Sequence, residues 1–273
     1  MAAADSATAQ RSSESEARLR HEFVGMMFAV TIGEVGLQVA PLVQHGDALH
    51  WLPAYSHIFL ATFVIATSWV GWSLSVSPGA RKDVTGVFQL EFVLLLLDVT
   101  MVIIYFILVR TVDFADDSMP HVGSGEEVAR WFIVIFGLYL AWDFVTKVLI
   151  YVRDRNAKSS WAPEGARMVP TVVCFAFTLL VWQQAGMADD IHRMTVDLAL
   201  LSLVLLFRAL KDLASALMPR DDQASRGIRR RSSRVIVGAV VIFAIGFAYG
   251  TGATRYSWRV PLPDYMIRAV QTP

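Results

Sequence analysis

The sequence predicts an all-α protein, a polytopic transmembrane helical bundle with about seven membrane-spanning helices. Three observations lead there. Hydrophobic residues make up 55% of the 273-residue chain and charged residues 18%, against roughly a quarter charged in soluble domains. Mean hydropathy is positive, at +0.48. The apolar residues also gather into seven stretches approaching 20 residues, about the length needed to cross a hydrocarbon core near 30 Å thick.

The first twenty residues, MAAADSATAQRSSESEARLR, are small, polar and of mixed charge. They lack the large apolar groups that build a core, so residues 1–20 are expected to be a disordered cytoplasmic segment. A transmembrane domain follows over 21–252, with spans expected at 22–43, 55–76, 87–109, 129–152, 168–185, 194–214 and 234–251. The fifth is the shortest and opens near Pro170, where a missing N–H in the first helical turn leaves no intrahelical bond unmade. The seventh carries Gly238 and Gly246, small residues that let another helix approach closely. Residues 253–273 are expected to form an extracytoplasmic tail.

Orientation follows from the basic residues, which concentrate on the cytoplasmic side of membrane proteins. Of 24 Lys and Arg residues, 17 fall in the N-terminal segment and alternate connections, including Arg81, Lys82, Arg153, Arg155, Arg208, Lys211 and the run Arg229, Arg230 and Arg231. Six fall on the other side: Arg110, Arg130, Arg193, Arg255, Arg259 and Arg268. The expected location is therefore the inner (plasma) membrane, with the N-terminus cytoplasmic and the C-terminus extracytoplasmic. Trp51, Trp131, Trp182 and Trp258 fall near the outer boundary and Trp161 near the inner one, as amphipathic rings prefer. Trp69, Trp72 and Trp142 lie deeper and read as packing residues.

Lys147 remains inside the fourth span, one helical turn from Asp143. An acid placed four residues before a base is the favourable order for a pair on a helix. The third span carries Glu91, Asp98 and Tyr105 at intervals of seven, one stripe on a helix. If the third and fourth spans are antiparallel neighbours, Glu91 lies level with Lys147, and Asp98 with Asp143. Glu91 and Lys147 are thus candidates for an intramembrane ion pair. Glu34 in the first span, with Thr31 and Gln38 on its face, joins Asp98 and Asp143 as a candidate for ion binding or proton handling.

A charge at the bilayer centre costs about 2.5–3.5 kcal/mol on insertion scales. Carboxylates at that depth therefore face the bundle interior, where they pair, bind a cation or take up protons. The function expected is a proton or small-cation transporter or channel. The alternative is a non-catalytic membrane scaffold or sensor whose buried charges fix helix packing.

Other classes lack their residues. The chain has no G-x-S-x-G, H-E-x-x-H, Walker-type glycine loop or Cys-x-x-Cys, the patterns that carry common enzyme chemistry, so no enzyme and no cofactor are expected. The seventh stretch holds no lysine to anchor retinal. His45, His50, His57, His121 and His192 fall on the outer side among acidic residues, a pattern read as a solvated loop face with no metal template. Cys174 is the single cysteine and reads as a small packing residue. The basic run ASRGIRRRSSR is attracted to anionic lipid and lacks the aromatic platform of a nucleic-acid site. The expected partners are the lipid bilayer and protons or small cations, with no nucleic acid; the sequence leaves a homo-oligomer open.

Overall fold

Backbone in hydrocarbon has no water to bond to, so each spanning segment must satisfy its own N–H and C=O groups. The apolar stretches accordingly form helices. A computed structural model describes residues 2–44, 51–75, 90–113, 121–153, 168–186, 190–216 and 231–246. The helices are α1 (Ala2–Gln44), α2 (Leu52–Ser75), α3 (Leu90–Arg110), α4 (Gly125–Arg153), α5 (Val169–Gln184) and α6 (Asp190–Ala216), followed by α7 over residues 231–246. The expected tail at 253–273 lies outside the described residues.

Four of them are long and apolar enough to cross a membrane: Glu22–Gln44 within α1, Leu52–Ser73 within α2, all of α3, and Gly125–Leu149 within α4. By length and composition these four are candidate membrane spans, compatible with an integral membrane protein. The others differ in kind. α5 has 16 residues, and α6 carries Arg193, Asp197, Arg208, Lys211 and Asp212 along its 27 residues.

α1 begins at Ala2, so helix runs through residues 2–20, where disorder is the compositional expectation. Alanine, glutamate, glutamine and arginine recur there, and these residues favour helix without needing a core. α5 has Pro170 in its first turn. Between α3 and α4 a short antiparallel hairpin pairs β1 (Val112–Asp113) with β2 (His121–Val122), in register Val112 to Val122. It marks the hairpin end of the bundle.

α1 packs on α2 and α3, α3 on α4, α4 on α5 and α6, and α6 on α2 and α5. The six helices thus close around a common interior. α7 lies outside it against α5 and α6: Phe243 meets Phe177 edge-on at 5.2 Å, and Gly246 sits beside Thr195 and Ala199. Gly246 is thus at a helix contact, whereas Gly238 has nothing within 4 Å of its virtual Cβ.

The interior holds Leu60, Val64, Phe132, Ile135, Leu200 and Leu203, all buried. The outer surface is also apolar. Phe23, Met26, Leu37, Phe59, Ile103 and Phe144 are exposed, at a density that water would penalise and lipid chains accept.

Candidate functional site

Polar side chains inside the bundle form two groups at different depths, separated by apolar residues. At the hairpin end, His57 of α2 is completely buried, and Arg193 and Asp197 of α6 are 5% and 2% exposed. Arg193 donates from Nε to the Gly123 carbonyl at 2.7 Å and makes a close ion pair through Nη1 with Asp197, one turn along the helix. Its Nη2 lies 2.9 Å from His57 Nδ1. A guanidinium only donates, so Nδ1 is the accepting nitrogen and Nε2 carries the proton. That Nε2 lies 2.8 Å from the Leu108 carbonyl and 2.7 Å from Thr111 Oγ1. Ser56 donates to the other oxygen of Asp197 at 2.7 Å. One arginine fork therefore ties α2, α6 and the hairpin connection together.

This overturns two sequence readings. His57 was expected on a solvated loop face and Arg193 among the outer loop charges; both lie inside the protein. A detectable signal existed in Arg193 and Asp197, an i,i+4 pair at the start of an apolar helix.

Moving away from the hairpin, Tyr105 of α3 donates to Ser68 of α2 at 2.9 Å, and its hydroxyl lies 2.7 Å from that of Tyr139 of α4. Ser68 and Tyr139 are also in close hydroxyl contact. Ser68 and Tyr139 of this triad edge a cavity of about 180 Å³ lined by α1, α2, α3, α4 and α6. Asp98, Asp143, Arg208 and Lys211 are its charged residues, and Phe28, Trp72, Phe136, Tyr139, Trp142 and Phe207 its aromatic walls.

Asp98 is 3% exposed. Its two oxygens each accept an indole N–H, Oδ2 from Trp72 at 3.2 Å and Oδ1 from Trp142 at 3.0 Å. Trp72 and Trp142, which read as packing residues, also act as donors. The stripe of Asp98 and Tyr105 does face inward, with Leu94, Val102 and Leu108 buried on the same helix. An asparagine at 98 would turn its NH₂ toward one of the indole donors, so it is a poorer mimic of this aspartate than its shape suggests.

Asp143 has different partners. Lys211 donates to both of its oxygens, at 2.8 and 2.6 Å, and Thr171 of α5 donates to Oδ2 at 2.5 Å. The Lys211 ammonium also lies 5.5 Å from the centre of the Phe207 ring. The ion pair on Asp143 is thus made by Lys211 from α6. Lys147 and Glu91 are both partly buried, on α4 and α3, which pack together.

Glu34 sits apart from this cavity. It accepts from Gln38 at 3.0 Å and from Arg110 of α3 at 3.0 Å. That ion pair joins α1 to α3, with Arg110 largely exposed and Glu34 nearly buried. Of the three carboxylates proposed for ion handling, the structure brings together Asp98 and Asp143 and leaves Glu34 in an interhelical bridge. Among the described residues, no three His, Cys, Asp or Glu side chains are grouped as a metal site would require.

A carboxylate that faces a cavity and carries a lysine ammonium can exchange that lysine for another positive charge. A proton or a small cation arriving at Asp143 competes with Lys211 for the same oxygens. No family model, curated protein or solved structure matches this chain.

Proposed function

We propose that this integral membrane protein is a non-enzymatic carrier or channel that handles protons or small cations in its central cavity. The observation that supports the reading most directly is that Asp98 and Asp143, from different helices, line one cavity in which Lys211 already occupies Asp143. In the proposed cycle, a proton or cation displaces the Lys211 ammonium from Asp143. Lys211 then carries the site's positive charge until the carboxylate is free again. In this reading the buried side chains Leu60, Val64, Phe132 and Leu203, which fall between the two polar groups along α2, α4 and α6, close the route toward the hairpin end, so passage requires these helices to move.

Proton flux into liposomes holding a pH dye, under an imposed ion gradient, tests the reading. Wild-type protein is expected to carry flux above empty liposomes. The double variant Asp143→Asn with Lys211→Met, which removes the pair without leaving either charge alone, is expected to lose about tenfold or more, equivalent to roughly 1.4 kcal/mol in the rate-limiting barrier. Flux from wild type no greater than from empty liposomes would reject transport. Undiminished flux in the folded double variant would reject the role of this pair.

The scaffold alternative has its own support in the His57, Arg193 and Asp197 cluster, whose donors and acceptors are matched to one another inside the protein. We assign that end to holding the helices and the cavity end to function.

The proposed setting is the inner (plasma) membrane with the hairpin end outside and the N-terminus in the cytoplasm, supported by the distribution of basic residues. In cells, Ser118→Cys is expected to react with an impermeant thiol reagent added outside and Ser225→Cys to stay unlabelled. The opposite labelling would invert the topology.

A further inference from the structure

Arg208 lines the cavity on α6 one turn from Lys211, yet its electrostatic situation is different. Lys211 is held by Asp143. Among the described residues, no hydrogen bond or ion pair engages the Arg208 guanidinium. Its position is nonetheless built in. A Cβ placed on Gly71 of α2 would fall 2.3 Å from Arg208 Nη1 and 3.1 Å from Cζ. The missing side chain at 71 leaves the place against α2 that the guanidinium occupies at the cavity wall, and any larger residue there would push it aside.

The walls around it are aromatic. Tyr139 and Phe207 stack almost parallel, 5.1 Å apart, and Phe136 meets Phe207 edge-on at 5.6 Å. Phe28, Trp72 and Trp142 complete the lining. A planar fork of N–H donors suits a carboxylate or phosphate oxygen pair, and flat ring walls suit a flat apolar body. Asp143 and Lys211 neutralise each other, leaving Arg208 as the cationic group with donors to spare.

We propose that the cavity binds a small amphipathic organic anion, a flat apolar body bearing one carboxylate, with the carboxylate on Arg208 and the body between the aromatic side chains. The assignment rests on the cavity being a solute site, as proposed above, and it names the class of solute. It also fits proton handling in the same cavity. A monoanion that enters together with a proton crosses without net charge.

Equilibrium binding to purified protein in neutral detergent tests this through the fluorescence of the cavity-lining tryptophans, Trp72 and Trp142. Benzoate is the probe, with benzyl alcohol and benzyltrimethylammonium as neutral and cationic counterparts. Benzoate is expected to bind at least tenfold more tightly than either. Arg208→Gln should abolish that preference and Arg208→Lys should retain part of it. Gly71→Ala should weaken benzoate binding several-fold while the protein stays folded, because only the tip of a flexible side chain must move.

Tighter binding of the cation would reassign the site to Asp98, and equal binding of all three probes would make it merely apolar; either outcome overturns the proposal. So would loss of benzoate binding on adding phosphatidylglycerol but not phosphatidylcholine to the micelles, which would give Arg208 to a lipid phosphate. Benzoate binding through Arg208 without proton flux in liposomes would reject the transport reading alone. Proton flux without benzoate binding would reject the ligand class alone.

Discussion

Replacing Arg193 by methionine is expected to remove about 3–5 kcal/mol of stability, the range for breaking a buried ion pair from one side. The loss is large because three acceptors depend on this guanidinium. Asp197 would keep the Ser56 hydroxyl and the His57 ring 3.8 Å away, and the Gly123 carbonyl and His57 Nδ1 would each lose the donor they have from Arg193. Lysine is expected to be a poor substitute, since a single ammonium cannot reach three acceptors from the geometry of a planar fork. Adding Asp197→Asn to Arg193→Met should recover part of the loss, because the remaining side chain is neutral and its amide can turn toward His57. Thermal unfolding in detergent should therefore rank wild type first, then the double variant, then Arg193→Met. An Arg193→Met protein that melts with the wild type would show that the cluster does not hold the bundle.

The second large effect is expected at Lys211. Its loss leaves Asp143 as a carboxylate at membrane depth with only the Thr171 hydroxyl among its present donors, and the loss of Asp143 leaves an ammonium over Phe207. Insertion scales put a lone charge at the bilayer centre near 2.5–3.5 kcal/mol. With side chains 21% and 12% exposed, solvent screening places each single variant, Lys211→Met or Asp143→Asn, toward or below the lower figure. The double variant should lose less than the sum of the two, with a coupling of roughly 0.5–3 kcal/mol. Additive losses would mean that the pair contributes nothing jointly. Lys147→Met provides the contrast. If it, rather than Lys211→Met, showed the coupling to Asp143→Asn, the ion pair described here would be wrong.

That contrast also marks where sequence reasoning reaches its limit. The seven-residue stripe of Asp98 and Tyr105 is a property of one helix and could be read directly. So could the inward direction of Asp143, since a carboxylate in an apolar span has few other places to go. The partner of Asp143 could not be read this way. Lys147 is four residues away and Lys211 is 68, and only the packing of α4 against α6 decides between them. The same holds for Trp72 and Trp142. An indole far from the headgroup region must still place its N–H, so these two residues signalled a buried acceptor, though not that they would share one.

The hairpin end was misread for a related reason. His57 and Arg193 lie near the ends of apolar stretches, where composition changes gradually and a span boundary is uncertain by a turn. A shift of one turn moves a residue from loop to interior. The two-residue strands between α3 and α4 have no periodicity to reveal them, because alternation needs more residues than either strand contains.

The short length of α5 bears on the surrounding bilayer. Sixteen helical residues rise about 24 Å at 1.5 Å per residue, roughly 6 Å less than an average hydrocarbon core. α5 forms part of the bundle wall, between α4 and α6, so this mismatch falls on one sector of the perimeter. Were α5 to cross the bilayer, lipid reaching that sector beside α7 would have to compress, while lipid beside the 21-residue α3 would not. Such uneven thickness would make the protein sensitive to the chain length of its lipids on one side only. It would also give a second protein with a similarly short flank a reason to gather there, since two thinned zones that merge deform less membrane than two kept apart.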